Sequence, residues 1–151
     1  MTWTSLTTDE ARAHRLYGFG GWMIAVYVLA LLLLAMNLRN LAGGDAMMLI
    51  MFETEAQVAM ARQVMVVQTI ALLPFLVLAP LKHPAMPTAA LVGFAVYALA
   101  RPLAVALLMD INPVKVMAVS GNHLVIGAIF IGYVLLSKRV NVTYRHRVKA
   151  A

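Results

Sequence analysis

Four stretches of this chain each offer about 20 apolar residues, the length that one helix needs to cross the hydrocarbon core of a bilayer. They cover residues 18–36, 58–79, 86–109 and 116–136. Hydrophobic residues make up 63% of the chain and charged residues 12%, which is not the balance of a soluble domain. Inside lipid each stretch must satisfy its own backbone polar groups, so helices are expected. The sequence predicts an all-α integral membrane protein, a single membrane domain over residues 1–151 whose four transmembrane helices form an antiparallel bundle.

Lysine and arginine are unevenly distributed between the two ends of the predicted bundle. The N-terminal segment, the link between the second and third helices and the tail hold eight of them: Arg12, Arg15, Lys82, Lys138, Arg139, Arg145, Arg147 and Lys149. The opposite end holds three: Arg39, Arg62 and Lys115. Because short flanking segments rich in these residues stay in the cytoplasm, both termini are expected to be cytoplasmic.

The basic tail, residues 137–151, directly follows the fourth predicted helix and carries five of these cations. We expect Lys138, Arg139, Arg145, Arg147 and Lys149 to lie against anionic lipid headgroups, an attraction of about 1 kcal/mol per cation held near the surface. Nothing beyond charge indicates nucleic acid, so no nucleic-acid partner is expected.

The segment before the first helix allows more than one interpretation. Arg12 and Arg15 before an apolar stretch would suit a secretory signal, but the stretch is long for one and no A-x-A-like site closes it, which favours a membrane helix. Thr7 and Glu10 have the spacing of a capping box, so this segment is either a short cytoplasmic helix or an unstructured leader. The outer link, residues 37–57, is expected to form an interfacial amphipathic turn and to extend the second helix, with docking against a partner as the other alternative.

Polar residues interrupt three of the predicted helices. Gln68 lies in the second helix, Arg101 beside Pro102 in the third, and Asn122 and His123 in the fourth. Their positions predict intramembrane polar contacts, with Arg101 in the outer half of the membrane. Arg101 is expected to pair with Glu53 or Glu55 near the outer end of the second helix, or with Asn122. The third helix either continues through Pro102 or breaks there. Ala128 and Gly132, a small-x-x-x-small pair whose smooth surface Gly127 widens, predict close packing of this helix within the chain or against a partner.

The residues offer little for catalysis or cofactor binding. Of His14, His83, His123 and His146 only His123 is predicted near the outer side, so neither a bis-histidine haem nor a metal site is expected. No acidic residue falls at the centre of a predicted helix, and Ser120 with His123 lacks an acid to orient the histidine. We therefore expect no cofactor, no metal, no catalytic residue and no enzymatic activity. A lipid-modifying enzyme would have to use Glu53, Glu55, Asp110 and His123.

Both ends of the chain carry a resemblance. A G-G-W motif starts the first predicted helix, and a tyrosine followed by S-K-R-V, a threonine and an aromatic residue closes the last one: Gly20, Gly21, Trp22, Tyr133, Ser137, Lys138, Arg139, Val140, Thr143 and Tyr144. In these features the chain resembles a bacterial family of small four-helix membrane proteins known as domain of unknown function 2569. Asn141 departs from the family, in which lysine is frequent there. The resemblance implies a bacterial inner-membrane location and this fold, and it implies no activity.

Two functions from different classes follow. The first is a non-enzymatic accessory or interaction subunit of the inner membrane that binds another membrane component, either a different membrane protein or a second copy of itself. The alternative is a small transporter or channel with a polar site around Arg101.

Overall fold

The structure, a computed structural model, describes residues 3–43, 54–108 and 113–150. At residues 107–108 and 113–119 it describes the backbone alone. The described part is helical apart from a two-stranded ladder. In chain order its elements are β1 (Trp3–Ser5), α1 (Thr8–Ala13), α2 (Trp22–Ala42), α3 (Glu55–Leu78), α4 (Met86–Leu108), α5 (Pro113–Leu136), α6 (Lys138–Arg145) and β2 (Arg147–Lys149).

Three of the helical segments are long and apolar enough to cross a membrane: α2, α3 and Met86–Ala106 of α4. A fourth crossing results if Ser120–Leu136 of α5 is counted together with α6, although a bend of 61° separates the two. The prediction of an all-α protein with helices long and apolar enough to span a membrane is confirmed, whereas the count of four depends on whether α5 and α6 together form one span. The helix α4 is continuous through Pro102, so the predicted alternative of a break there is wrong.

The helix boundaries differ from the predicted ones mainly at the first span. α2 begins at Trp22 because Gly18 and Gly21 adopt positive φ angles of 99° and 57°, which interrupt a helix. It then continues past Asn37 to Ala42. The capping box between Thr7 and Glu10 is confirmed and starts the short helix α1. Residues 44–53, on which the predicted interfacial turn falls, lie outside the described residues.

Consecutive long helices provide the principal contacts, α2 with α3, α3 with α4 and α4 with α5. Contacts at two levels show that α3 and α4 are antiparallel: the Gln68 side chain bonds the Tyr97 backbone, and Gly93 lies on Ala71. A closed four-helix bundle would also need α2 against α5, a pair that is not among the principal contacts of the described residues. The closure of the bundle stays a prediction.

A row of aromatic rings crosses the whole molecule at one level. Phe19 and Tyr27 meet edge to face with their centroids 5.1 Å apart, Tyr27 contacts Phe75, and Phe75 lies 5.0 Å from Phe94. Phe94 in turn lies 4.6 Å from Phe130. The centroid distances are those at which aromatic pairs stabilise each other beyond simple burial. The row therefore joins α2, α3, α4 and α5 into one core.

Two glycines bring neighbouring helices close together, and they are not the predicted pair. A Cβ atom added at Gly93 would overlap the carbonyl oxygen of Ala71 on α3, and one added at Gly127 would overlap the side chain of Ala98 on α4. By contrast Ala128 is exposed, and a Cβ atom at Gly132 would meet nothing within 4 Å. Within the chain the close approach to α4 is therefore made by Gly127, and packing of Ala128 and Gly132 against a partner stays a prediction.

Replacement of Gly93 by alanine should therefore force α3 and α4 apart. We expect Gly93→Ala to lower the free energy of unfolding by about 1–3 kcal/mol, the usual range for overpacking. Thermal unfolding of the purified protein in detergent measures this change. Gly132→Ala is the matched control, because the same methyl group enters open space and helix propensity favours alanine by up to about 1 kcal/mol. Equal destabilisation by both variants would contradict the assignment.

Candidate functional site

Two groups of polar residues are candidate sites, one within the membrane-spanning helices and one at the end where the termini meet. The first, called the polar cluster below, consists of Gln68, Tyr97, Arg101, Asn122 and His123. Gln68 is almost fully buried, and its Nε2 donates a hydrogen bond of 2.9 Å to the backbone oxygen of Tyr97. A buried amide in an apolar helix needs such an acceptor, because an unmade hydrogen bond costs about 1–3 kcal/mol.

The Tyr97 ring connects the other members of the polar cluster. The His123 ring lies 5.7 Å from it, and His123 Nδ1 lies 2.7 Å from Oδ1 of the exposed Asn122. Arg101, half-buried, follows Tyr97 by one helical turn and lies within electrostatic range of both Tyr97 and His123. The structure thus brings all four predicted intramembrane residues together around a tyrosine that sequence reasoning missed. The spacing of four between Tyr97 and Arg101 was the available signal.

The predicted partners of Arg101 are placed less favourably. Glu55 is exposed at the start of α3, and within the described part of the chain it forms no ion pair with Arg101. Asn122 bonds to its neighbour His123. Glu53 lies outside the described residues, so its pairing with Arg101 stays a prediction. Arg101 lies seven residues before the end of α4, roughly 10 Å at the helical rise, which places it well inside the span.

The second group belongs to a small folded unit made of β1, α1, α6 and β2, called the terminal cap below. β1 and β2 pair antiparallel, with Trp3 opposite Lys149 and Ser5 opposite Arg147. The two ends of the chain therefore meet at one end of the molecule. The link between α3 and α4 lies at the same end, since Lys82 of that link stacks over the Tyr17 ring at 5.3 Å. All eight basic residues counted for the predicted cytoplasmic side belong to these segments.

The polar side chains of α6 are buried and tie the terminal cap to the membrane helices. Thr143 Oγ1 accepts a hydrogen bond from the backbone N–H of Gly18 at 3.0 Å. Tyr144 donates one of 2.6 Å to the backbone oxygen of Ala79, at the end of α3. Burial raises the pKa of the Tyr144 hydroxyl, with smaller contributions from Tyr133 and Tyr17, so the hydroxyl keeps the proton that it donates.

Asn141 is fully buried and organises the arginines of the tail. Its Nδ2 donates to the backbone oxygen of Ser137 at 2.9 Å, which orients the amide. Its Oδ1 accepts from Arg145 Nη1 at 3.1 Å and from Arg147 Nε at 2.7 Å. A lysine at this position, frequent in the resembled family, would not accept either bond.

Arg139 packs on the glycines before α2. Its Nη1 donates to the backbone oxygen of Gly18 at 3.3 Å, and a Cβ atom at Gly20 or Gly21 would stand 3.4 or 3.5 Å from its guanidinium. The G-G-W and S-K-R-V motifs, which carry the family resemblance, therefore contact each other. Arg139, Arg145 and Arg147 use part of their hydrogen-bonding capacity within the protein, whereas Lys138 and Lys149 are exposed.

A pocket of about 200 Å³ opens in the terminal cap between the N-terminal segment and the tail. Four cationic side chains line it, together with the rings of Trp3 and His14. The four cations are Arg15, Lys138, Arg147 and Lys149. The Arg147 guanidinium stacks over the Trp3 ring at 4.7 Å. Among the described residues no group of three His, Cys, Asp or Glu side chains is placed to bind a metal ion.

Comparison with known proteins identifies no relative. No protein-family model, no curated protein and no solved structure matches the chain. The resemblance to the domain family therefore stays a prediction, and the function has to be argued from the polar cluster and the terminal cap.

Removal of the Asn141 amide should loosen the terminal cap. In Asn141→Ala the Ser137 carbonyl and two arginines lose a buried partner, at about 1–3 kcal/mol for an unsatisfied group. We expect trypsin to cleave after Arg145 and Arg147 about tenfold faster, since cleavage follows the population of the open form. Asn40→Ala is the control, because the Asn40 side chain forms no hydrogen bond with other described residues. Unchanged cleavage in Asn141→Ala would show that these bonds do not hold the cap closed.

Proposed function

We propose that this chain is a non-enzymatic accessory subunit of a bacterial inner membrane, which binds another membrane component at the polar cluster. The observation that supports the proposal is the arrangement around Tyr97. Polar groups from three helices converge there, and they reach the molecular surface at the exposed Asn122 and the half-buried Arg101 and His123.

The energetics of this arrangement favour a partner. An arginine at the centre of a membrane helix costs about 2.5–3.5 kcal/mol on insertion scales, which is an upper bound for Arg101, seven residues from the end of α4. The Tyr97 and His123 rings beside Arg101 are not ionised acids and leave its charge uncompensated by the described residues. A carboxylate or backbone carbonyl of a second membrane component at Asn122 and Arg101 would lower this energy, and each additional interhelical hydrogen bond contributes about 0.6 kcal/mol.

The proposed orientation has the terminal cap in the cytoplasm. The basic residues of both termini and of the link with Lys82 lie at this end, and the cytoplasmic side of a membrane protein is the side enriched in lysine and arginine. The bacterial inner membrane is proposed from the family resemblance alone. In this orientation the polar cluster extends from the middle of the spans, at Gln68 and Tyr97, to Arg101 in the outer half of the membrane, and the basic end meets the anionic cytoplasmic leaflet.

Replacement of Arg101 tests the proposal. We expect Arg101→Ala to reduce recovery of the partner in native co-purification from mild detergent by about tenfold, equivalent to 1.4 kcal/mol, with membrane abundance unchanged. Arg39→Ala is the control, because Arg39 is an exposed arginine in the last turn of α2. Quantitative mass spectrometry of the purified complexes provides the measurement. A wild-type protein recovered alone and as a monomer would refute the proposal.

One observation favours the alternative of a small transporter or channel. The Ser120 hydroxyl is fully buried with no hydrogen-bond partner among the described residues, and Ser120 lies three residues from His123 on the same face of α5. A buried polar group of this kind is expected along a polar pathway. Under this alternative Arg101→Ala abolishes a substrate flux in proteoliposomes while its abundance is retained. Loss of abundance alone would indicate a structural role for Arg101.

A further inference from the structure

The pocket of the terminal cap has the composition of an anion site. Arg15, Lys138, Arg147 and Lys149 line it together with His14, and no acidic side chain of the described residues does. The side chains of Arg15, Lys138 and Lys149 form no hydrogen bond or ion pair within the described part of the chain. Four cations converging on one space repel each other, and a bound anion removes that repulsion.

Arg147 is held in position for such an anion. Its Nε is bonded to Asn141 Oδ1 at 2.7 Å, and its guanidinium plane rests on the Trp3 ring at 4.7 Å. Its two terminal nitrogens form no hydrogen bond to the described residues, so the fork of the guanidinium remains available. A guanidinium fixed in this way matches two oxygens of a phosphate group and loses little rotamer entropy on binding.

The place of the pocket indicates where the anion comes from. Lys138 follows α5 after one residue, and Leu135 and Leu136 at the end of that helix are exposed apolar side chains. Trp22, 81% exposed at the start of α2, is an amphipathic ring of the kind found at the membrane interface. A lipid whose acyl chains lie along the end of α5 therefore has its headgroup at the level of Lys138. The pocket, at about 200 Å³, is smaller than the roughly 300–1,000 Å³ typical of sites for larger ligands.

We infer that the terminal cap binds the phosphate of an anionic phospholipid headgroup in this pocket. Arg147, oriented by Asn141 and Trp3, holds two phosphate oxygens, and Arg15, Lys138 and Lys149 supply further charge. This site deepens the proposed function at its basic end, because it makes one lipid molecule a partner in place of a general attraction to the leaflet. It does not depend on what binds at Arg101.

Lipid titration of the full-length protein in neutral detergent, followed by native mass spectrometry, tests the inference. The probes are phosphatidic acid, whose headgroup is a bare phosphate, phosphatidylcholine, whose phosphate is neutralised by choline, and inorganic phosphate. We expect phosphatidic acid to bind at least about tenfold more tightly than phosphatidylcholine. Equal affinity of the two lipids would overturn the inference. If inorganic phosphate binds as tightly as phosphatidic acid, the site is one for a soluble phosphate and the lipid assignment is wrong.

Substitutions that each neutralise one cation distinguish binding in the pocket from a general attraction to the charged surface. Arg15→Gln and Lys138→Gln change exposed side chains without intramolecular bonds, and we expect each to weaken phosphatidic acid binding about fivefold. Arg12→Gln is the matched control, because Arg12 is also exposed in the same segment but does not line the pocket. An equal loss of phosphatidic acid affinity in Arg12→Gln would show that the lipid does not bind in the pocket.

Arg101→Ala distinguishes this inference from the proposed function. The variant should keep its affinity for phosphatidic acid while it loses the membrane partner. If partner recovery instead falls in Arg15→Gln while phosphatidic acid does not bind the wild type, the pocket accepts an acidic segment of that partner, and the lipid assignment is refuted.

Discussion

The hydrogen bonds of the buried polar side chains of α6 hold the two ends of this protein on its membrane helices. Asn141, Thr143 and Tyr144 lie within a single turn of α6, yet they reach the tail arginines, the backbone before α2 and the end of α3 respectively. The three side chains are buried, and without these bonds their polar groups would lose partners that water cannot replace, so the arrangement is stabilised as a set. The β1–β2 ladder, the stacking of Arg147 on Trp3 and the basic pocket all depend on α6 staying in place. The helix in turn needs the turn at Gly18, because only that conformation offers an amide to Thr143 and a carbonyl to Arg139.

The molecule therefore separates two kinds of polar environment. Within the spans, Gln68 bonds to an acceptor on Tyr97, whereas Asn122 lies towards the surface. At the basic end, cations are concentrated but unequal in their roles. Arg139 and Arg145 are used in the fold, whereas Arg15, Lys138 and Lys149 extend around the pocket. In the sequence the tail looks uniformly basic. In the structure some of its cations are hydrogen-bonded within the protein, and the others remain available to bind a ligand.

The extent to which the fold follows from the sequence can be argued from particular residues. Apolar runs of the length of a bilayer locate the spans, because a helix is the only local solution inside lipid, and the spacing of Thr7 and Glu10 locates the cap of α1. The close contacts between neighbouring helices could not be predicted from the sequence in the same way. Gly93 and Gly132 look alike in sequence, and only the position of Ala71 makes one of them essential for packing. Likewise Gln68, Arg101 and His123 are conspicuous as polar residues, but their convergence depends on the register between helices, which periodicity does not determine. The burial of Asn141 depends on the 61° bend between α5 and α6.

The pairing of Trp3 with Lys149 also has a consequence for biosynthesis. The strand β1 leaves the ribosome before any of the long helices, whereas its partner β2 is made after all of them. The strand β1 therefore has no partner strand until the long helices between β1 and β2 have been made. Closing a loop of almost the whole chain carries a large entropic term, so this contact is expected to form only after the helices have brought the two ends together. The pocket, whose wall includes residues of both strands, can therefore form only after β2 has been made. A chain that stops between α5 and β2 would have the long helices without the complete pocket.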